Sequence, residues 1–287
     1  MTDRSPGTNE LREFLRSRRA RITPEEAGLS PQPGARRVPG LRREEVAHLA
    51  GVSVDYYVRL ERGRSLHASD SVLDALARAL MLNDTEREHL FVLARPSRVQ
   101  RLPLPTQLVR SGVRRVLDSL TDTPALVLGR RRDVLASNRM ARALFTDFDA
   151  LPPRDRNMAR YLFLDESVRD LYVDWEAAGR GTVAVLRMYA GRYPDDPQLA
   201  ELIGDLSLRD KDFRRWWAEH DVVVHTYGVK RLRHPVVGEL TLDYEALTVT
   251  DDPEQTLGLH TAAPGSPSEH GLRLLAALPL PVPSVSG

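Results

Sequence analysis

The chain of 287 residues carries 41 basic and 40 acidic side chains, a formal net charge of +1, and no cysteine. Its length predicts about two domains, and the lack of cysteine excludes disulfides, thiol catalysis and thiolate metal ligands. It has no run of about 18 apolar residues and no apolar leader, so we expect a cytoplasmic protein with no membrane partner.

The first predicted element is a helix from Glu10 to Ala20. Leu11, Phe14 and Leu15 share one face of this helix. Five arginines surround that apolar face: Arg12, Arg16, Arg18, Arg19 and Arg21. Two interpretations stay open: a solvated surface, or a helix that flanks DNA and contacts its phosphates.

Residues 41–63 predict two short helices joined by a tight turn. Apolar residues at helical spacing run through both helices: Val46, Leu49, Ala50, Tyr57 and Leu60. Gly51 suits a left-handed position at the end of the first helix because it lacks a Cβ. Ser53 can cap the second helix by accepting a hydrogen bond from a free backbone N–H. The arrangement matches the helix-turn-helix unit, in which a small residue such as Ala47 lets the two helices approach.

This two-helix unit also permits a plainer interpretation as an ordinary helix pair. The DNA-binding interpretation is favoured because Ala47, Gly51 and Ser53 all fall where a DNA-binding unit needs them. The residues expected to read base edges are Val54, Asp55 and Arg59. The residues expected to contact DNA phosphates are Arg42, Arg43, Ser53, Tyr56, Arg62 and Arg64. Glu61 is expected to pair with an arginine of the scaffold.

Further helical patterns end near Ala94 and complete a predicted five-helix unit. Closely spaced prolines follow it and indicate a linker. The predicted organisation is a helix-turn-helix domain at residues 10–95, a linker at 96–105 and a second domain at 106–278.

The second domain has the pattern of an α+β fold, with strands, then helices, then strands. It begins with a predicted helix at Thr106–Leu120. Two short strands, Pro124–Gly129 and Asp133–Ser137, flank Arg130–Arg132, which we expect to be a solvated hairpin tip. Later strands are predicted at Val222–Tyr227, Val229–His234, Val237–Leu242, Leu247–Thr250 and Thr256–Thr261. The predicted fold class is therefore multidomain α and α+β, with an antiparallel sheet covered by helices.

No constellation in the sequence predicts catalysis. His220, His225 and His234 lack the spacing of zinc ligands, so we expect them to be structural or on the surface. The pairs Asp195-Asp196 and Asp251-Asp252 each precede proline and predict turns. No phosphate-binding glycine motif and no nucleophile motif occurs. We therefore expect no catalytic residue, no metal and no cofactor, and a protein that is not an enzyme.

Aromatic residues of the second domain permit two interpretations, core packing and the lining of a ligand pocket. The candidate pocket residues are Tyr161, Phe163, Trp175, Tyr189 and Trp217. Trp216 and Trp217 cannot face the same way on a helix. We therefore expect one of the two in the core and the other over a pocket or an interface.

Two stretches of the chain resemble known regulators. VPGLRREEVA at 38–47, GVSVDYY at 51–57 and RLERGR at 59–64 resemble the Xre/Cro-type repressor domain and, more closely, the MmyB-like regulators. FRRWWAEHDV at 213–222 and HPVVGELTLDY at 234–244 resemble the ligand-binding domain of the same group, a PAS-like fold. The resemblance implies a small apolar, fatty-acid-like ligand between the helices and the sheet.

The combined expectation is a sequence-specific DNA-binding transcriptional regulator whose second domain binds a small apolar ligand that modulates DNA binding. Because one recognition helix covers few base pairs, we expect a homodimer on a palindromic site in double-stranded DNA. The alternative is a protein-interaction adaptor whose helix-turn-helix does not bind DNA. An enzyme in the second domain is the least favoured class.

Overall fold

The computed structural model describes residues 6–29, 38–63, 68–95, 106–220 and 227–278. The chain divides into two compact units: unit 1 comprises Met1–Pro103, Arg187–Glu201 and Arg215–Val224, and unit 2 comprises Leu104–Leu186, Leu202–Arg214 and His225–Gly287. Four predictions fall outside the described residues: the linker at 96–105, the phosphate contact Arg64, His225, and most of the strand Val222–Tyr227.

The division into units is discontinuous along the chain. The segments 187–201 and 215–224 group with unit 1, although the sequence pattern assigns them to the second domain. The predicted contiguous boundaries at 10–95 and 106–278 therefore stay a prediction.

Unit 1 is built mainly from the N-terminal helices. The described residues up to Arg95 form α1 Pro6–Arg21, α2 Arg43–Leu49, α3 Val54–Glu61, α4 Asp70–Ala79 and α5 Asp84–Ala94. Leu11, Phe14 and Leu15 of α1 are fully buried among them, as their shared face predicts. Asn83 caps α5, since its side chain accepts from the Glu86 N–H at 2.9 Å and its own N–H donates to the Glu86 carboxylate at 3.1 Å. The five-helix prediction for this part of the chain is confirmed.

The remaining helices are α6 Ser111–Ser119, α7 Arg139–Leu144, α8 Met158–Leu164, α9 Glu166–Leu171, α10 Trp175–Arg192, α11 Pro197–Arg209, α12 Lys211–Glu219 and α13 Pro267–Ala277. Helices α10, α11 and α12 contain residues of both units. The strands, all in unit 2, are β1 Ala125–Leu128, β2 Val134–Ser137, β3 Tyr227–His234, β4 Gly238–Val249 and β5 Asp252–Thr261.

The five strands of unit 2 form one antiparallel sheet in the order β2-β1-β5-β4-β3. All four residues of β1 are buried, and this strand lies inside the sheet between β2 and β5. The predicted α+β class, with an antiparallel sheet and helices packed on it, is confirmed.

The two faces of the sheet differ in what covers them. On one face α13 packs against β4, where a Cβ on Gly271 would lie 2.6 Å from Leu240. On the other face Leu117 of α6 joins a buried cluster with Ala125 and Val127 of β1. Registered pairs place Lys230, Tyr244 and His260 on the α13 face, because Tyr244 lies opposite His260, and Lys230 opposite the buried Leu242.

The helix predicted at Thr106–Leu120 begins only at Ser111. The Gln107 side chain explains the late start, because its oxygen accepts from the Arg130 N–H at 2.7 Å and its amide donates to Asp252 at 3.2 Å. These contacts hold the preceding segment against unit 2 outside the helix. The predicted break between the strands Val237–Leu242 and Leu247–Thr250 is also wrong. Both belong to β4, which pairs with β3 and β5 without interruption through residues 243–246.

The turn at Arg130–Arg132 is not the solvated hairpin tip that its three arginines suggest. All three side chains are partly buried, Arg130 is bonded to Glu254, and Arg131 pairs with Asp133 at 2.9 Å. Arg131 and Arg132 adopt φ of 53° and 67°, which L residues rarely adopt. Asn157 supports this backbone, because its amide donates to the Arg131 carbonyl at 2.8 Å and to Asp133 at 2.9 Å.

Candidate nucleic-acid interface

The turn between α2 and α3 has the geometry that its residues predict. Gly51 adopts φ +65°, and its N–H donates to the His48 carbonyl at 3.1 Å. Ser53 is the N-cap of α3, and its hydroxyl accepts from the Tyr56 N–H at 3.1 Å. Ala47 is fully buried, so the two helices meet there without a large side chain between them.

Helix α3 has one buried face and one exposed face. Tyr57 and Leu60 are fully buried in the core of unit 1. The side chains of Asp55 and Arg59 are 80% and 56% exposed, and Val54 is 46% exposed. The structure therefore brings the three predicted base-reading residues together on the free face of one helix.

Asp55 and Arg59 also interact with each other on that face. The Arg59 Nε lies 3.5 Å from an Asp55 carboxylate oxygen, one helical turn away. An exposed pair of this kind contributes only about 0.3–0.5 kcal/mol, so a guanine edge can compete for the guanidinium.

Glu61 joins α3 to α1 through Arg19 and to α2 through Arg43. Its carboxylate is buried and accepts from the Arg19 Nε at 2.9 Å and from the Arg43 Nε. Arg19 also donates to the Leu41 carbonyl at 2.8 Å. The hydrogen bond to Glu61 raises the pKa of Arg43. The expected pairing of Glu61 with a scaffold arginine is thus present, and Arg43, predicted as a phosphate contact, also holds the motif together.

The other predicted phosphate contacts lie around the same motif. Arg42 is partly exposed and stands 3.8 Å from Glu44, and its backbone N–H donates to Glu45 at 2.6 Å. Tyr56 is partly buried against the core, whereas Arg62 is exposed just after α3. Ser53 is exposed, and its cap uses the hydroxyl only as an acceptor, which leaves its proton free to donate.

A basic cleft of about 260 Å³ opens beside α3. It is lined by Arg12, Arg16, Arg19, Val38, Arg43, Glu61 and Arg62. The structure therefore separates the arginines of α1: Arg12 and Arg16 face the cleft, whereas Arg18 is buried and lies 3.3 Å from Glu86. Sequence spacing alone left all of these arginines open to either interpretation.

The candidate pocket residues fall in two units. In unit 2, the Tyr161 hydroxyl donates to the Phe145 carbonyl at 3.1 Å, and the Trp175 Nε1 donates to the Leu162 carbonyl at 3.0 Å. Phe163 packs edge-on against Trp175, at 5.7 Å between ring centroids. Tyr189 and Trp217 belong to unit 1.

In unit 1, Tyr189 lies against Tyr193, and Trp217 lies under Arg187, whose guanidinium carbon is 4.0 Å from the ring centroid. Trp216 is 2% exposed. One tryptophan of the adjacent pair is therefore in the core, as predicted, while Trp217 is partly exposed.

The histidines that the sequence singled out have structural contacts. His220 is bonded to Arg187 at 2.9 Å, and His234 contacts the Ala143 carbonyl at 3.1 Å. Within the described ranges, no group of three or more His, Asp or Glu side chains is arranged to hold a metal ion. Of the helices that the structure describes, none has the length and apolar character needed to cross a membrane.

Comparison with known families agrees with this geometry. A helix-turn-helix domain model matches residues 10–90, which contain the capped α3 and its exposed face. The model described as the MmyB-like transcription regulator ligand binding domain matches residues 109–275, more than half of the chain. No curated protein matches the chain.

The fold and the site together define a DNA-binding transcription regulator that carries a ligand-binding domain. The chain belongs to the MmyB-like transcription regulator family. The resemblance stated from its sequence motifs is therefore confirmed, and both matched domains are those of regulators.

Proposed function

We propose that this protein recognises one DNA sequence by placing α3 in the major groove. The observation that carries the proposal is the division of α3 into a buried face, with Tyr57 and Leu60, and an exposed face with the predicted base readers. Arg59 can bind guanine O6 and N7, Asp55 can accept from cytosine N4, and Val54 can contact a thymine methyl.

Phosphate contacts are proposed around this face. The predicted set is Arg42, Arg43, Ser53, Tyr56, Arg62 and Arg64, to which the basic cleft adds Arg12 and Arg16. Arg16 supports this extension because it is exposed, lines the cleft and forms no ion pair with another described residue. Contacts of this kind fix the register of the helix on the duplex without reading its sequence.

A homodimer on a palindromic operator is part of the proposal. Helix α3 has eight residues, too few to define a long site alone, and two-fold pairing doubles the number of base pairs read. Native mass spectrometry of the protein with and without operator tests this. A single copy bound to the selected operator contradicts the dimer and leaves α3 recognition intact.

We further propose that a small apolar, fatty-acid-like ligand in the second domain modulates DNA binding. The candidate pocket residues in unit 2 are Tyr161, Phe163 and Trp175, whereas Tyr189 and Trp217 lie in unit 1 and stay candidates from the sequence alone. Support for modulation comes from unit 1, where Arg187 of the ligand-binding family region donates to Glu10 of α1 at 2.7 Å. A ligand that favours one arrangement of this region shifts DNA affinity only by its difference in affinity for the two arrangements.

The decisive experiment selects bound DNA duplexes from a pool of random sequences. Gel shifts then compare binding to the selected sequence with binding to a scrambled sequence. The proposal expects enrichment of one motif and a binding constant that falls steeply with salt. No gel shift at low salt favours the alternative, a protein-interaction adaptor.

Since its proposed partner is DNA, we place the protein in the cytoplasm. Recovery of a co-purified ligand in unaltered form agrees with a non-enzymatic role.

A further inference from the structure

The carboxyl end of α12 is bonded to α1 within unit 1. The His220 carbonyl, just after the helix, accepts from Arg18 of α1, and the Glu219 carbonyl accepts from Arg21 at 3.3 Å. A helix leaves its last carbonyls without partners of its own, and cations suit that end. Two arginines of α1 therefore complete the end of α12.

Arg187 of α10 is the centre of the same contact and is 1% exposed. Its guanidinium donates to Glu10 of α1 at 2.7 Å, to the His220 Nδ1 at 2.9 Å and to the Trp217 carbonyl. One planar group thus fixes the relative positions of α1, α10 and the end of α12. Glu10, Arg18, Arg187 and His220 are called the Arg187 cluster below.

The backbone of His220 is strained. Its φ is +57°, in the left-handed region that residues with a Cβ rarely adopt. Such a conformation persists only where the surroundings hold the residue. Here Arg18 holds the carbonyl and Arg187 holds the ring. The strain therefore favours separation of α12 from α1 when one of these contacts is lost.

The last turns of α10 also pack closely on unit 1. Met188 lies against the core of this unit. A Cβ on Gly191 would lie 2.8 Å from the ring of His89 on α5, and that ring packs edge-on against Phe14 of α1 at 5.1 Å. Helix α10 therefore contacts α5, which in turn contacts α1, and it continues unbroken from residues of unit 2.

Helix α1 lies between the Arg187 cluster and the basic cleft. Glu10 and Arg18 share the face that meets the cluster, because eight residues bring a helix back to nearly the same side. Arg12 and Arg16 lie on the other side and line the cleft, and Arg19 joins α1 to α3. The cluster therefore acts on one face of α1 while the arginines proposed to meet DNA lie on the opposite face.

We propose that Arg187 and His220 are positioning residues for DNA binding that act through α1. While the cluster is intact, Arg12 and Arg16 are held beside α3, where phosphates of the duplex reach them. When it breaks, α1 is no longer fixed and these two contacts are lost. Because α10 and α12 also contain residues of unit 2, a change in that unit reaches the cluster through the chain itself. The proposal rests on the proposed function, since it needs phosphates at the cleft.

The test compares two substitutions of His220 in the full-length protein. His220→Ala removes the acceptor for Arg187, whereas His220→Asn keeps an acceptor and tolerates the left-handed backbone. Gel shifts on the selected operator are measured over a range of salt concentrations. His220→Ala should bind about fivefold or more weakly, with a salt slope shallower by about one to two and an unchanged base preference. His220→Asn should keep most of the wild-type affinity and slope.

Leu82→Ala is the control for a general loss of stability. Leu82 lies between α4 and α5 and packs on the same core. It should lower the melting temperature but leave operator affinity and salt slope unchanged. Equal losses for His220→Ala and Leu82→Ala, or unchanged binding by His220→Ala, overturn the positioning role and leave recognition by α3 standing. A wild type that binds no duplex overturns the proposed function, and this proposal with it.

A double-mutant cycle tests the route through α1. Arg16→Gln should weaken operator binding by the wild type but change it less than about twofold further in His220→Ala, where that contact is already lost. Arg62→Gln, in the same cleft but outside α1, should weaken both proteins alike. Additive losses for Arg16→Gln and His220→Ala overturn the proposal. It is also overturned if Arg16→Gln has no effect in the wild type.

Discussion

Arg59 is the residue on which recognition of a particular base should depend most. Its side chain is exposed and only weakly paired with Asp55. Arg59→Ala is expected to weaken binding to the selected operator by about 1–3 kcal/mol and to relax the preference at one base pair. Competition gel shifts with operators changed at single positions measure both effects.

Arg78→Ala is the matched control for the loss of one positive charge. Arg78 is exposed near the end of α4 in the same unit. This variant should change affinity for all sequences slightly and alike. If Arg59→Ala behaves in the same way, with an unchanged base preference, Arg59 does not read a base.

Glu61 has a structural role that a surface carboxylate could not have. Glu61→Gln leaves the guanidinium groups of Arg19 and Arg43 facing a neutral amide in a buried place. We expect a loss of about 3 kcal/mol in the free energy of unfolding, the lower end for breaking a buried ion pair, because Arg43 is partly exposed. Urea denaturation followed by circular dichroism measures it.

Glu44→Gln is the comparison for Glu61→Gln. Glu44 is 62% exposed, and its nearest arginine is Arg42 at 3.8 Å. A change below about 0.5 kcal/mol is expected there. Similar losses for both glutamates would contradict the anchoring role of Glu61.

At the scale of the element, the N-terminus of α3 combines a helix cap with a proposed DNA contact. Ser53→Ala should cost about 1 kcal/mol of stability through the lost cap. Ser53→Asp keeps a good cap, so stability should stay near that of the wild type. Its negative charge should repel the phosphate and weaken DNA binding. Thermal melts and gel shifts on the same samples separate the two roles. Full DNA affinity in Ser53→Asp excludes the phosphate contact.

The elements that sequence could predict are those whose causes are local. The left-handed Gly51 and the capping Ser53 act on neighbours within three residues, so the motif was predictable in detail. Glu61 pairs with Arg19, which is 42 residues away. The sequence indicates only that Glu61 should pair with an arginine of the scaffold, not which one. The partial burial of the turn at Arg130–Arg132 was missed because two residues that hold it, Asn157 and Glu254, lie far along the chain. No local signal distinguishes such an arginine from a solvated one.

At the scale of the whole molecule, two histidines with lowered pKa values make unit 1 sensitive to acid. His89 and His220 both have pKa values lowered to about 3, first by burial and then by the charge of Arg187, with Arg18 adding to it. Below pH 6.5 these two histidines therefore bind protons in the unfolded chain but not in the folded chain. The stability that these neutral histidines contribute is complete above about pH 6.5 and is lost as the pH falls toward 3.

His89→Gln should flatten this pH dependence. The wild type is expected to lose about 2 kcal/mol more than the variant between pH 6.5 and pH 5, since His89 is 2% exposed and stays neutral in that range. The variant also loses packing against Phe14, so only the slope is compared. Urea midpoints at the two pH values measure it, and parallel slopes would contradict the assignment.

The discontinuous composition of unit 1 has a consequence for protein engineering. A chimera that grafts residues 1–95 onto a foreign sensor discards Arg187 and His220, and with them the groups bonded to Glu10 and Arg18 of α1. The buried Arg18 would then face water on α1, which also carries Arg19, the partner of Glu61. Such hybrids should be only marginally stable. A DNA-binding domain that can be transferred to other proteins first needs new side chains on that side of α1.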